Sequence, residues 1–277
     1  MREQKKIGMI AGEGDFPFLV AQGIRDAGGR VYIVAIKGHT REEIGIFADK
    51  IEWIHLGQLG RLINFFKQSG VEEVVFAGAI NKPKAFDIRP DFKAARLLFR
   101  LKSRNDNALL EAVINEIQAE GLRVVSPLIF VPSLQTPEGV LTKRGPSGKE
   151  IKDILFGWPI AQRLGEMDIG QTIVVKEKMV VAVEALEGTN ETIRRAGHLV
   201  KKGCVVIKVF KPGQSELVDQ PSVGPKTIEV MKEARCSCLA IEAGKSLFFD
   251  RDRAIEMANS SDIAVVGVTE EVLQSLK

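Results

Sequence analysis

At 277 residues the chain is long for one compact domain and comfortable for two. Its 39 basic and 36 acidic residues leave a formal charge of +3, too even to argue for a nucleic-acid partner. Hydrophobic residues make up 45% and charged residues 27%, an ordinary globular balance. No apolar run reaches the length of a membrane span, and the opening Met-Arg-Glu-Gln-Lys-Lys is not a signal peptide. Three cysteines make no disulfide framework, so the expected compartment is the cytoplasm. Cys236 and Cys238 are one residue apart with no nearby His, and read as buried small residues, not as a zinc pair.

In chain order, Lys6–Ile10 is a short apolar strand ending at Gly12-Glu-Gly14. Phe16–Asp26 has helical periodicity and stops at Gly28-Gly29. Arg30–Ile36 and Glu52–Leu56 read as strands, Gln58–Ser69 as a helix, and Glu73–Phe76 as a further strand. Asp106–Ala119 is a helix followed by the strand Leu122–Val125. Such alternation implies a parallel sheet covered by helices. Ser133–Gly148 contains Pro137, Pro146 and three glycines and reads as a linker. Beyond it, Lys149–Leu164 is helical despite Pro159, and the β-branched runs Thr172–Lys176 and Met179–Ala185 flank Glu177-Lys178 as a hairpin. Thr192–Lys201, Lys226–Ala234 and Arg251–Ala258 read as helices. Val205–Phe210, Cys238–Glu242, Leu247–Phe249 and Ile263–Val268 read as strands. The expected organisation is α/β in two domains: residues 1–132, a linker over 133–148, and a mixed α/β domain over 149–277.

Five constellations could carry chemistry. Gly12-Glu-Gly14-Asp15 follows the first strand and opens a helix, where backbone N–H groups can approach a phosphate. A third fingerprint glycine is missing, and the second strand ends Ile36-Lys37-Gly38 without an acid for a ribose diol. NAD is therefore disfavoured, and a tight turn is the plain alternative. Asn81 and Lys82 follow another strand end and are placed to read a polar head group; a solvated loop is the plain alternative. Phe92–Lys102 is basic and amphipathic, with Phe92, Ala95 and Phe99 on one face widened by Leu97, Leu98 and Leu101. It suits a membrane surface, a cover over lipid chains or, more simply, a packed helix with snorkelling cations.

Glu184 and Glu187 border a helix start that Thr189 or Asn190 can cap, with Arg194 and Arg195 in its first turns. Carboxylates beside an anion site need a bridging cation, for which Mg²⁺ is usual. The densest segment runs from Lys208 and Lys211 through Gln214 and Asp219 to Gly224-Pro225-Lys226-Thr227. A carboxylate among cations before a helix start suits metal-assisted hydrolysis of a phosphate ester or anhydride, with Asp219 as ligand or base. An Asx turn is the structural alternative. His39, His55 and His198 share no spacing and read as structural or surface residues.

Eight ordered motifs span nearly the whole chain: IAGEGDFP (10–17), FAGAINKP (76–83), NDNALL (105–110), DIGQTIVV (168–175), VVAVEALEGTNE (180–191), KVFKPGQ (208–214), VDQPSVGPKT (218–227) and EAGKSLFFDR (242–251). In them the chain resembles the LpxI-type UDP-2,3-diacylglucosamine pyrophosphatases of lipid A biosynthesis. The resemblance implies a Rossmann-like first domain, a distinct second domain and a lipid ligand held between them. It implies hydrolysis of the sugar-nucleotide pyrophosphate to UMP and 2,3-diacylglucosamine 1-phosphate (lipid X), dependent on Mg²⁺ or Mn²⁺.

The family's essential aspartate falls on Asp219, and Glu184 and Glu187 join it as expected metal ligands. Expected substrate contacts are Gly12, Gly14, Asp15, Asn81, Lys82, Asp106, Thr189, Lys208, Lys211, Gln214 and Thr227. Leu217 stands where relatives often carry Arg, and Asn105-Asp106 where a pair of acids is common. The implied partners are the lipid-linked sugar nucleotide and lipid X, not nucleic acid, with peripheral contact at the inner membrane and self-association left open. A hydrolase or transferase of a soluble nucleotide sugar, and a non-catalytic lipid or nucleotide binder, are the competing classes.

Overall fold

The computed structural model describes residues 4–80, 89–101, 106–212, 217–218 and 220–276, with the side chains of Asp106 and Asn107 excepted. The chain divides into two compact units, residues 1–132 with 215–218, and residues 133–214 with 219–277.

The first unit is α/β. Among the described residues its strands are β1 (Lys6–Ala11), β2 (Arg30–Ile36), β3 (Lys50–Ile54), β4 (Glu73–Ala77) and β5 (Arg123–Val124). They form one parallel sheet in the order β3-β2-β1-β4-β5. Alternation sorts the strand side chains between two faces. Ile10, Val34, Ile36 and Val74 pack with α2 (Leu59–Gln68) and α4 (Asp106–Ala119) through Leu62, Ile63, Phe66, Ile114 and Ile117. The alternate residues Met9, Ile33 and Val75 are buried on the other face, where α1 (Phe16–Asp26) meets β1, β2 and β4. Leu217 and Val218 also pack against the α2–α4 side of this core.

The helix α3 (Phe92–Arg100) is capped by Asp91, which accepts from the Ala94 N–H. The leucines and Phe92–Ala95–Phe99 do not make one wide packing face as expected. Leu97 joins the core, whereas Phe92, Ala95 and Phe99 point to solvent.

The second unit carries a mixed sheet in the order β6-β13-β11-β9-β7-β8. Its strands are β6 (Gly139–Val140), β7 (Thr172–Lys176), β8 (Met179–Val183), β9 (Val205–Lys208), β11 (Cys238–Glu242) and β13 (Ala264–Val268). A separate parallel ladder joins β10 (Ser222–Val223) to β12 (Leu247–Phe248). Ile173, Val175, Val205, Ile207, Ala240 and Val266 pack on α5 (Gly148–Glu166) through Ile154, Trp158 and Ala161, with α9 (Glu270–Ser275) beside them. On the opposite face, Val174, Val206, Leu239, Ile241 and Val265 meet α6 (Thr189–Val200), α7 (Pro225–Glu233) and α8 (Arg251–Ser260). Cys204, Cys236 and Cys238 are buried thiols in these cores.

The β7–β8 hairpin turns on Glu177 and Lys178, both at positive φ (52° and 57°), a conformation that usually selects Gly or Asn. Its cost is offset from α5: the buried Asp153 carboxylate accepts from both turn N–H groups, at 3.0 and 2.7 Å.

Residues 133–148, read from composition as a linker, belong to the second unit. β6 pairs antiparallel with β13, and Leu141 N–H donates to Val265 O. Two strand residues between prolines and glycines leave no periodicity from which to see this. The helix α5 begins with a capping box: Ser147 and Glu150 satisfy each other's backbone N–H.

Candidate functional site

In a parallel sheet the chain reverses direction across the order where successive crossovers leave on opposite sides, and loops at the carboxyl strand ends diverge there. In the first unit that point lies between β1 and β4. The loops after these strands are stitched together: Gly12 N–H donates to Ala77 O at 2.8 Å, and Glu13 N–H to Ala79 O at 2.7 Å. A Cβ at Gly12 would stand 2.4 Å from Ala79 O, so glycine is required by close backbone approach. Gly14 serves differently, with φ of 86° and open space around it. Gly12→Ala is expected to cost about 2 kcal/mol, the scale of an overpacked contact, read as a lowered thermal midpoint.

The loop after β2 joins them. Thr40 Oγ1 donates to Ala11 O at 2.5 Å, His39 Nδ1 and Glu13 Oε1 share a hydrogen bond of 2.5 Å, and Arg41 pairs with Asp15 at 2.7 Å. Arg41 also lies over the Phe18 ring, 4.3 Å from its centroid. Asp15 precedes α1 without capping it. His39, expected to be merely structural or surface, therefore sits beside the glycine loop; its place right after a parallel strand was the signal that pointed there. Asn81 and Lys82, the other expected contacts of this unit, lie outside the described residues, as does the Asp106 side chain.

In the second unit the polar residues gather where β8 and β9 end and β7 begins. Lys208, the last residue of β9, is 4% exposed, and Glu184, just past β8, is 7% exposed. Burial of two unlike charges calls for a connection between them. Thr189 supplies it: Lys208 Nζ donates to Thr189 Oγ1 at 2.8 Å, and Thr189 Oγ1 donates to Glu184 Oε1 at 2.9 Å. Thr172 Oγ1 is 3.3 Å from the same hydroxyl. Thr189 or Asn190 was expected to cap α6; instead Gly188, at φ of 80°, holds the cap position without a side-chain bond, and the Thr189 hydroxyl turns to the lysine and glutamate.

Glu184 Oε2 is buried and has no hydrogen-bond partner among the described residues. A buried carboxylate oxygen left open beside a helix N-terminus is suited to accept from a ligand hydroxyl or to bind a cation. Gly170 passes so near that a Cβ there would be 2.0 Å from the backbone carbonyl oxygen of Glu184, so the close approach of the two chains requires glycine. Glu187 is differently placed. Its Oε1 takes Arg195 at 2.6 Å and Thr192, and its Oε2 takes Ala185 N–H. Its own backbone N–H and the Arg195 guanidinium hold the carboxyl below its ordinary value. With both oxygens engaged it clamps the start of α6, whereas Glu184 keeps one oxygen without a partner among the described residues. Among the described residues, no three His, Cys, Asp or Glu side chains are grouped to hold a metal.

Around this centre, Lys211 pairs with Asp168 at 2.7 Å, and Glu242 Oε2 accepts from Phe210 N–H at 2.8 Å. Thr227 is buried in the first turn of α7, whose start is Gly224-Pro225 as expected. Asp219 and Gln214 lie outside the described residues.

Comparison with known proteins was consistent along the chain. The family models described as the LpxI N-terminal domain and the LpxI C-terminal domain match residues 6–134 and 137–266. A curated relative from Caulobacter vibrioides, named UDP-2,3-diacylglucosamine pyrophosphatase LpxI, is 30% identical over 95% of this chain and 98% of its own. Two solved structures resemble the chain weakly. The biotin carboxylase domain of Hydrogenobacter thermophilus 2-oxoglutarate carboxylase is 12% identical with a TM-score of 0.28, over 64% of this chain and 36% of that one. N5-carboxyaminoimidazole ribonucleotide synthetase from Thermotoga maritima is 14% identical with a TM-score of 0.25, over 65% and 42%. The chain thus spans well under half of either structure, and likenesses of this size carry no argument. The two family matches and the full-length relative do: the chain belongs to the LpxI family.

Proposed function

We propose that the protein hydrolyses the pyrophosphate of UDP-2,3-diacylglucosamine, releasing UMP and 2,3-diacylglucosamine 1-phosphate, in a reaction that depends on Mg²⁺ or Mn²⁺. The observation that carries the reading is the full-length likeness to the Caulobacter vibrioides pyrophosphatase. The buried Lys208–Thr189–Glu184 network supports it, as a charged centre built at a strand-end site.

Glu184 fits a metal role through its orphaned buried oxygen, and Asp219, by its motif, is the second ligand or the general base. When bound, the divalent ion would supply charge neutralisation at the phosphoryl oxygens and a more acidic water. The protein's own groups do the rest. Lys208 offers a fixed cation to a phosphate oxygen. Thr189 holds the lysine and the glutamate at constant separation, so neither has to reorganise as negative charge develops. In the role of base, Asp219 would accept the proton of the attacking water.

Thr189→Val keeps the shape and removes the hydroxyl that joins the two charges. It is expected to lower kcat about 10-fold, the lower end for a misplaced electrostatic group; Thr189→Ser is expected to restore most of it. Equal activity in Val and parent would remove the network from the mechanism.

The substrate class is tested by comparing UDP-2,3-diacylglucosamine with UDP-sugars that lack acyl chains. Preference for the acylated substrate is expected. Turnover of the soluble sugars alone would instead favour a general nucleotide-sugar hydrolase.

A further inference from the structure

The helix α3 has two apolar stripes and only one is covered. Ala94 is buried and Leu97 packs into the core of the first unit. On the other side, at helical spacing i, i+3, i+4, i+7 and i+8, stand Phe92, Ala95, Arg96, Phe99 and Arg100, all exposed. Phe92 is 85% and Phe99 96% exposed, the highest values among the large apolar residues described. Phenylalanine is ordinarily among the most buried residues, and two rings stacked along one exposed face mark a contact surface.

The charge on that face says what it fits. Arg96 and Arg100 flank the rings, Arg89 precedes the helix, and the segment from Phe92 to Arg100 contains no acid. The nearest carboxylate in sequence, Asp91, is turned inward to the N–H groups of Gly60 and Ala94. Lys93 is held off the face by Glu116 and Glu120. A second copy of this chain is a poor occupant. Across a two-fold axis the face would meet itself, setting arginine against arginine with no carboxylate on that face among the described residues.

We propose that this face of α3 docks on the surface of a bilayer containing anionic phospholipid. The rings of Phe92 and Phe99 enter the boundary between headgroups and acyl chains, and Arg96 and Arg100 meet the phosphates, as interfacial amphipathic helices do. No helix among the described residues is long and apolar enough to cross a membrane.

The test is co-sedimentation of the full-length protein with vesicles of phosphatidylcholine alone and of phosphatidylcholine mixed with phosphatidylglycerol. Such vesicles contain no substrate, so the outcome is independent of the reaction proposed above. Binding is expected on the mixed vesicles and should weaken with salt. Phe92→Ser/Phe99→Ser is expected to lower partitioning at least ~10-fold. Arg96→Gln/Arg100→Gln should lower it about 10-fold on the anionic vesicles only. All four side chains are exposed on the helix surface, so thermal midpoints should match the parent, which separates lost docking from lost folding. Failure of the parent to bind, or undiminished binding by the serine variant, would overturn the proposal. So would a concentration-dependent dimer that the serine variant abolishes while vesicles are ignored, since a second copy would then be the occupant.

Discussion

Asp219→Ala is expected to lower UMP release by at least ~10²-fold, the scale of deleting a proton-transfer group. The expectation rests on what the surrounding sequence requires. Asp219 lies between Val218 and the short strand Ser222–Val223 that leads into α7, in a segment rich in proline and glycine. Lys208 and Lys211 precede it and Lys226 follows. An aspartate in such a segment has the chemistry to accept a proton or to bind a cation. Asp219→Asn preserves size and removes the charge, and should lose nearly as much. If the asparagine variant keeps parental kcat while the alanine variant does not, the residue supports the loop and performs no chemistry. Both should retain the parent's thermal midpoint within a few degrees.

Arg144→Met is expected to produce the largest loss of stability among changes away from the site, about 3 kcal/mol, the lower end for breaking a buried charge pair. For the second unit that corresponds to a fall of roughly 6–10 °C in Tm. Arg144 makes a bidentate contact with Glu150, 2.8 and 3.2 Å, and donates to the carbonyls of Gly145, Ser237 and Asp262. One side chain thereby ties the capping box of α5 to the turns that open β11 and β13. Methionine fills the volume but leaves Glu150, 7% exposed, without its cation.

Acid dependence gives a second readout. Burial pushes the Glu150 carboxyl up, but hydrogen bonds from Arg144, Ser237 and Ser147 together outweigh it and hold the group below its ordinary value of 4.5. A depressed carboxyl contributes stability that is complete above the unfolded value and lost as pH falls through the folded one. The gap in stability between parent and variant should therefore narrow below pH 4.5. A gap that stays constant on acidification would mean the loss is one of packing alone.

Much of this architecture is legible in the sequence because burial leaves a strong trace. β1, β2 and β4 are buried along nearly all their length, and their apolar runs give their positions to within a residue. β3 is harder. It lies at the sheet edge, starts on the exposed Lys50 and is positioned by pairing with Tyr32–Ile36, so its polar start hides two residues of strand. β6 and β10 are two residues each and have no period to read. The orientation of α3 was illegible for another reason: with apolar side chains on two faces, periodicity cannot tell which stripe is covered. Within the site, Lys208 and Glu184 were chosen from sequence as a cation and an acid in separate motifs. What no spacing announces is that the Thr189 hydroxyl joins them, because that depends on β8 and β9 both flanking β7. Likewise the two glutamates near α6 are equivalent in sequence, and the contacts from Arg195, Thr192 and the Ala185 N–H separate the clamped Glu187 from Glu184.

The most direct measurement is product release from UDP-2,3-diacylglucosamine by the purified full-length protein, with Mg²⁺ or Mn²⁺ and after chelation. UMP and 2,3-diacylglucosamine 1-phosphate are expected in equal amounts with metal, and little of either without it. Tight binding of UMP or of the acylated sugar phosphate with no turnover under any metal condition would contradict it, and would make the protein a carrier or sensor of these ligands.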